Sequence, residues 1–210
     1  MKNRLVIPAS VTALLLAAPA FAQAHHAEWM RDKPFVQGLS MPIHGLDHMF
    51  VTVAVGLIAA QIGGRALWGV PAIFSVSIVL GGILNIMGVP VPLVEYGILA
   101  SIVVCGALLA WGARVSVLVT LGIVALFAFL HGNALIANDG FVHNLPVFIV
   151  GCLVSGLALQ AVGIGLGLLL ARTLRLPVYR YAGFAMLALA VVISAFPTVN
   201  DCVIHLLENK

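Results

Sequence analysis

Apolar residues run along this chain in blocks of bilayer length, separated by short turns rich in Gly, Pro and Arg. A helix needs roughly 20 predominantly apolar residues to cross a membrane. Six blocks meet that need, at about 43–62, 68–88, 93–112, 115–136, 145–171 and 179–196. The pattern predicts an all-α, polytopic membrane helix bundle with six transmembrane helices, and no strands, soluble domain or low-complexity linker.

A seventh apolar stretch precedes them and is of another kind. Lys2 and Arg4 give a positive start, Leu5 to Ala18 an apolar core, and Ala20-Phe21-Ala22 or Ala22-Gln23-Ala24 a small-residue cleavage site. The core is too short to span comfortably. Residues 1–24 therefore read as a signal peptide, cleaved after Ala22 or Ala24, and residues 25–210 as the six-helix transmembrane domain. An uncleaved first anchor is the alternative.

Composition agrees with the pattern. Hydrophobic residues make up 62% of the chain and charged residues 8%, with a mean hydropathy of +1.16. A soluble domain carries about 25% charged residues, so this is an integral membrane protein. The net charge of +3 points to no nucleic-acid partner, because the basic residues are scattered. Once Lys2 and Arg4 leave with the leader, basic and acidic residues nearly balance. Three cysteines make no disulfide framework, and Cys105 and Cys152, within apolar runs, read as small core hydrophobes.

Charge does set orientation. With a cleaved leader the mature N-terminus lies outside, and Arg65, Arg114 and the trio Arg172, Arg175 and Arg180 then fall in inner loops. The outer loops around 89–92 and 137–144 have no Lys or Arg, as the positive-inside rule demands. The chain is expected in the bacterial inner membrane with a periplasmic mature N-terminus. On that topology every histidine and every acidic residue is external or in the outer half of the membrane.

Ionisable residues at bilayer depth are costly and mark ion paths or buried partners. His44, Asp47 and His48 open the first block; on one helix they are related as i, i+3 and i+4 and share a face. Pro42 suits an early helical position, which puts Asp47 near a helix N-terminus whose dipole favours its ionised form. Two imidazoles and a carboxylate are ligands that nickel, cobalt, zinc and iron accept. A polar network pinning two helices is the other reading.

His131-Gly132-Asn133 ends the fourth block, at the depth of that triplet. His131 near a helix C-terminus is either a ligand or a helix-packing group. Glu95, the one acid of the third block, either snorkels outward or draws a cation. His25 and His26 head the mature chain. Cleavage after Ala22 leaves Gln23-Ala24-His25, able to wrap Ni(II) or Cu(II) in a square plane, and cleavage after Ala24 leaves His25 as a chelator beside His26. The glycines of the fifth block, Gly151-xxx-Ser155 and Gly163-xxx-Gly167, read as close-packing pairs.

These residues resemble the HupE/UreJ family of hydrogenase- and urease-associated membrane proteins. The family has a cleaved leader, about six further spans and an early His-Pro-x-x-Gly-x-Asp-His motif. Pro42, Gly45, Asp47 and His48 match it, with Met41 in place of the first histidine. The stretch from Ala54 to Leu57 through Gln61 to Trp68, and Val94-Glu95, are similar to the family as well. Of its His-Gly-His-Ala-His-type run, His131 and Gly132 match, and Asn133 and the following Leu135 or Ile136 interrupt it.

The resemblance implies a secondary permease for Ni(II) or Co(II), with Asp47, His48 and His131 as ligands. His44 is not a motif position, but its place on the expected helix face would compensate for the histidine lost at 41. Expected partners are the divalent ion, the lipid bilayer, and a periplasmic metal donor or metalloenzyme maturation proteins. No organic cofactor and no enzymatic activity are expected. The chain has no Walker loop and no His-Glu-x-x-His. The rival readings are an intramembrane redox protein or enzyme, with a haem held by His48 and His131, and a non-transporting assembly factor.

Overall fold

The computed structural model describes residues 32–111, 115–136, 144–174 and 177–195. The leader and the His25–His26 tip lie outside the described residues, as does the side chain of His44. Among the described residues there are seven α-helices: α1 (Pro34–His44), α2 (Leu46–Ile62), α3 (Ala66–Ile86), α4 (Val94–Trp111), α5 (Val117–Leu135), α6 (Leu145–Leu174) and α7 (Val178–Ala195). The fold is all-helical, and α3 to α7 coincide with the apolar blocks to within a few residues.

Four of these helices, α3, α4, α5 and α6, are long and apolar enough to cross a membrane. α1 and α2 reach that length and apolarity only when taken together, and they are bent by 77° at their junction, the form of a broken span or a re-entrant loop. The apolar part of α7, Val178–Val192, is shorter. Large apolar side chains stand exposed around the bundle, with Trp68 82%, Leu118 81% and Val191 68% accessible. Apolar surface of that extent suits lipid and not water.

The first block departs from its expected form. One helix over 43–62 would place His44, Asp47 and His48 on a common face. The chain instead breaks at Gly45, which is extended (φ −101°, ψ 126°) and serves both as the end of α1 and as the start of α2. Pro42 lies inside α1 near its C-terminus, not at a helix start. A proline there removes one backbone hydrogen bond and crowds the preceding turn, so the helix stops soon after it. His44 ends α1 while Asp47 and His48 open α2, and the i, i+3, i+4 relation does not hold.

Three close helix pairings organise the rest. A Cβ at Gly81 would overlap the Phe129 carbonyl, and one at Gly132 the Ile78 carbonyl, so α3 and α5 run in parallel at backbone contact. Gly56 meets Gln160, and Gly163 meets Val53, which seats α2 against α6, also in parallel. Gly106 and Gly183 bring α4 and α7 together, running antiparallel. Small residues allow such approach, and in lipid this dispersion contact drives helix association. Between the pairs lies a core that includes Val51, Val55, Ile58, Val70, Ile102, Leu109 and Val124.

Overpacking of these seams is the expected route to unfolding. Gly132→Val is expected to destabilise by about 3 kcal/mol or more, since its Cβ would have to displace backbone. Gly122→Val, at an exposed position where a Cβ meets nothing within 4 Å, is the control and should stay close to wild type. Thermal midpoints of the detergent-purified variants, followed by size-exclusion chromatography, measure the difference.

Candidate functional site

The break at Gly45 builds one wall of the site. Asp47 sits in the first turn of α2, and its Oδ1 accepts the His48 backbone N–H at 2.8 Å. That bond satisfies a donor that the helix start leaves open, and the carboxylate charge favours the positive end of the helix dipole. A Cβ on residue 45 would overlap the Asp47 carboxylate and lie 2.9 Å from the His48 ring, so glycine leaves room for both side chains to fold back over the junction. Thr52, one turn on, donates from its hydroxyl to the His48 carbonyl at 2.7 Å.

α5 supplies the opposite wall. The His131 ring is buried, at 3% exposure, and its Nδ1 faces the Nδ1 of His48 at 2.5 Å. The rings meet edge to face, with centroids 4.7 Å apart and planes at 68°. Behind His131 stands Ser101 of α4, fully buried, whose Oγ is 2.9 Å from His131 Nε2. Ser101 has one hydroxyl hydrogen, and that hydrogen goes to the Ile98 carbonyl at 2.5 Å. Ser101 Oγ is then the acceptor for His131 Nε2–H, which leaves the His131 Nδ1 lone pair aimed at His48. In the neutral pair His48 Nδ1–H donates across the gap.

The imidazoles border a cavity of about 20 Å³, lined also by Pro42, Thr52, Cys152 and Gly156. That volume holds about one water-sized species. Two imidazole nitrogens on one tetrahedral ion, each at about 2.0–2.1 Å, stand about 3.3 Å apart. The rings would have to part by somewhat less than about 1 Å to admit a cation in place of the shared proton. A metal-ligating histidine commonly gives its other ring N–H to an oxygen acceptor, the arrangement that Ser101 provides.

The expected site residues divide sharply. His48 and His131 meet. Asp47 adjoins them through the start of α2, and Glu95, exposed in the first turn of α4, is the second carboxylate within electrostatic reach of His48. Asn133 does not join them. It lies two positions beyond His131, about 200° around α5, and faces away. Its side chain is 1% exposed and spent on backbone: Oδ1 accepts from Val91 N–H at 2.9 Å, and Nδ2 donates to the Gly81 carbonyl at 3.1 Å. The Asn85 side chain in turn donates to the Asn133 carbonyl. Asn133 thus pins the α3–α4 connection, where Leu93 takes a left-handed φ of 58°.

Among the described residues no three His, Cys, Asp or Glu side chains come together as a metal-holding group. The two imidazoles are the pair the fold presents; the His44 side chain, His25 and His26 lie outside the described residues. The sequence reading missed Ser101 and Thr52. A hydroxyl inside an apolar run ordinarily reads as helix packing, and the pairing of Ser101 with His131 spans 30 positions that no periodicity connects.

Comparison with known proteins gives one family. A family model described as HupE / UreJ protein matches residues 11–193. "Protein HupE" of Rhizobium leguminosarum bv. viciae is 33% identical over 160 residues, covering 75% of this chain and 81% of that relative. No solved structure matches the chain. The chain belongs to the HupE/UreJ family.

Proposed function

We propose that this protein is a secondary permease for a divalent transition metal, Ni(II) or Co(II). It takes the ion from the periplasmic side of the bacterial inner membrane and passes it inward for metalloenzyme maturation. In this reading the leader is cleaved, the mature N-terminus is periplasmic and the chain crosses six times, with α1 and α2 forming one broken span and α7 the last. The observation that carries it is the meeting of His48 and His131, 83 positions apart in sequence, beside a cavity of about single-ion size. Broken helices lining such a site are a recurrent device of secondary transporters.

The chemistry follows from hydration. A divalent ion cannot shed water into hydrocarbon without replacement ligands. His131 Nδ1, held in its acceptor form by Ser101, offers the first nitrogen. His48 contributes the second when its Nδ1 proton leaves or the ring turns to present Nε2. Asp47 and Glu95 supply negative charge at the outer mouth, and the Thr52 hydroxyl and retained waters complete the shell. Two neutral nitrogens with borrowed oxygens bind weakly enough for release, which conduction requires. His44, and the His25–His26 tip as a first capture point, extend the site outward. A haem between His48 and His131 is disfavoured, because their Nδ1 atoms stand 2.5 Å apart and a porphyrin would have to part the two helices across its whole width.

Asp47→Ala and His131→Ala are each expected to abolish uptake of labelled nickel and cobalt while the protein still reaches the membrane. Uptake at the wild-type rate in both would refute the permease reading. Ser101→Ala frees His131 to adopt the other tautomer. It is expected to weaken Ni(II) or Co(II) binding by about 10- to 100-fold, the usual cost of losing an outer-shell partner, without loss of folded protein. Isothermal titration calorimetry on purified protein makes that comparison.

A further inference from the structure

Gln160 of α6 is 1% exposed, and neither its Oε1 nor its Nε2 has a hydrogen-bond partner among the described residues. A fully buried amide with both ends unmet is rare in proteins and costlier still in a membrane interior. Packing does not explain it, since leucine would fill similar space without two orphan groups. Such a side chain is kept for something that visits it.

Its place in the bundle says what. Cys152, Gly156 and Gln160 follow one another at i, i+4 and i+8, a single face of α6. The first two line the cavity beneath His48 and His131. Gly156 is buried, yet a Cβ there would meet no atom within 4 Å, so the space beside it is open. Gln160 is the next turn, about 6 Å further along the axis. On α2 the same level is Gly56, whose absent Cβ admits the Gln160 backbone, two turns on from His48. Because α2 and α6 run in parallel, both helices carry this line in one direction, toward the Arg172 end of α6. The loop charges assign that end to the inner side.

We propose that Gln160 is a second station for the cation, receiving it from the His48–His131 pair through the gap beside Gly156. The inference rests on the permease reading and supplies the inward step that the outer-facing ligands leave open. The amide oxygen faces the divalent cation or one of its waters, and the amide N–H donates to a water that travels with it. A neutral amide is a weak ligand for these ions, so the step favours onward movement over trapping.

Gln160→Leu separates this role from a structural one by sign. Removal of two orphan polar atoms is expected to leave the thermal midpoint of the purified protein unchanged or raised. Ni(II) binding at the histidine pair should stay within about twofold of wild type by calorimetry. Uptake of labelled nickel into proteoliposomes should fall at least tenfold. A Gln160→Leu variant that transports within twofold of wild type would overturn the proposal while leaving the permease reading intact. If wild-type protein binds nickel but moves none, both fall together. Should Gln160→Leu fail to insert, Gln160→Met and Gly156→Val carry the same test, the second by narrowing the gap; transport within twofold by both is again the overturning result.

Discussion

Two imidazoles held edge to face inside an apolar bundle set the terms for everything around them. An unmet ring nitrogen at that depth is costly, so each ring constrains its neighbours. His131 gives its Nε2–H to Ser101, whose own hydrogen is taken by the Ile98 carbonyl, and its free Nδ1 is met by His48 at 2.5 Å. The chain of bonds crosses α2, α5 and α4 in turn. It fixes which lone pair faces the cavity.

That contact needs helices at particular distances, and the glycines set them. The α3–α5 pair closes at Gly81 and Gly132, and the latter adjoins His131, so the residue that permits close packing also fixes the height of that imidazole. The α2–α6 pair closes at Gly56 and Gly163 but stays open at Gly156. Tight contact below and slack above leave a cavity at one level and an unmet amide at the next.

The site was legible only in part. Asp47, His48 and His131 stand out in any reading because ionisable groups within apolar blocks are expensive. Shared depth and the family resemblance point to their convergence, and the structure brings His48 and His131 together, but the single-helix geometry expected for the first triplet does not hold. Pro42 reads as a helix opener, whereas the structure places it inside α1, a helix held by its packing against α6. Asn133, next but one to His131, looked like a ligand by proximity in sequence. A helix turns about 100° per residue, so two positions suffice to send its amide to the α3–α4 connection instead. Gln160 and Ser101 carried no sequence signal, because an isolated amide or hydroxyl in an apolar run has no period that distinguishes a function from packing.

The sequence by itself determined the all-helical architecture and the limits of α3 to α7, since the thickness of a bilayer imposes one length on every apolar block. It also determined which groups were chemically unusual, because a charge or an imidazole among leucines needs a reason. Tertiary structure alone decided which of them meet. That depends on the rotation of each helix about its axis and on the depth of each seam, and both are set by contacts between residues tens of positions apart.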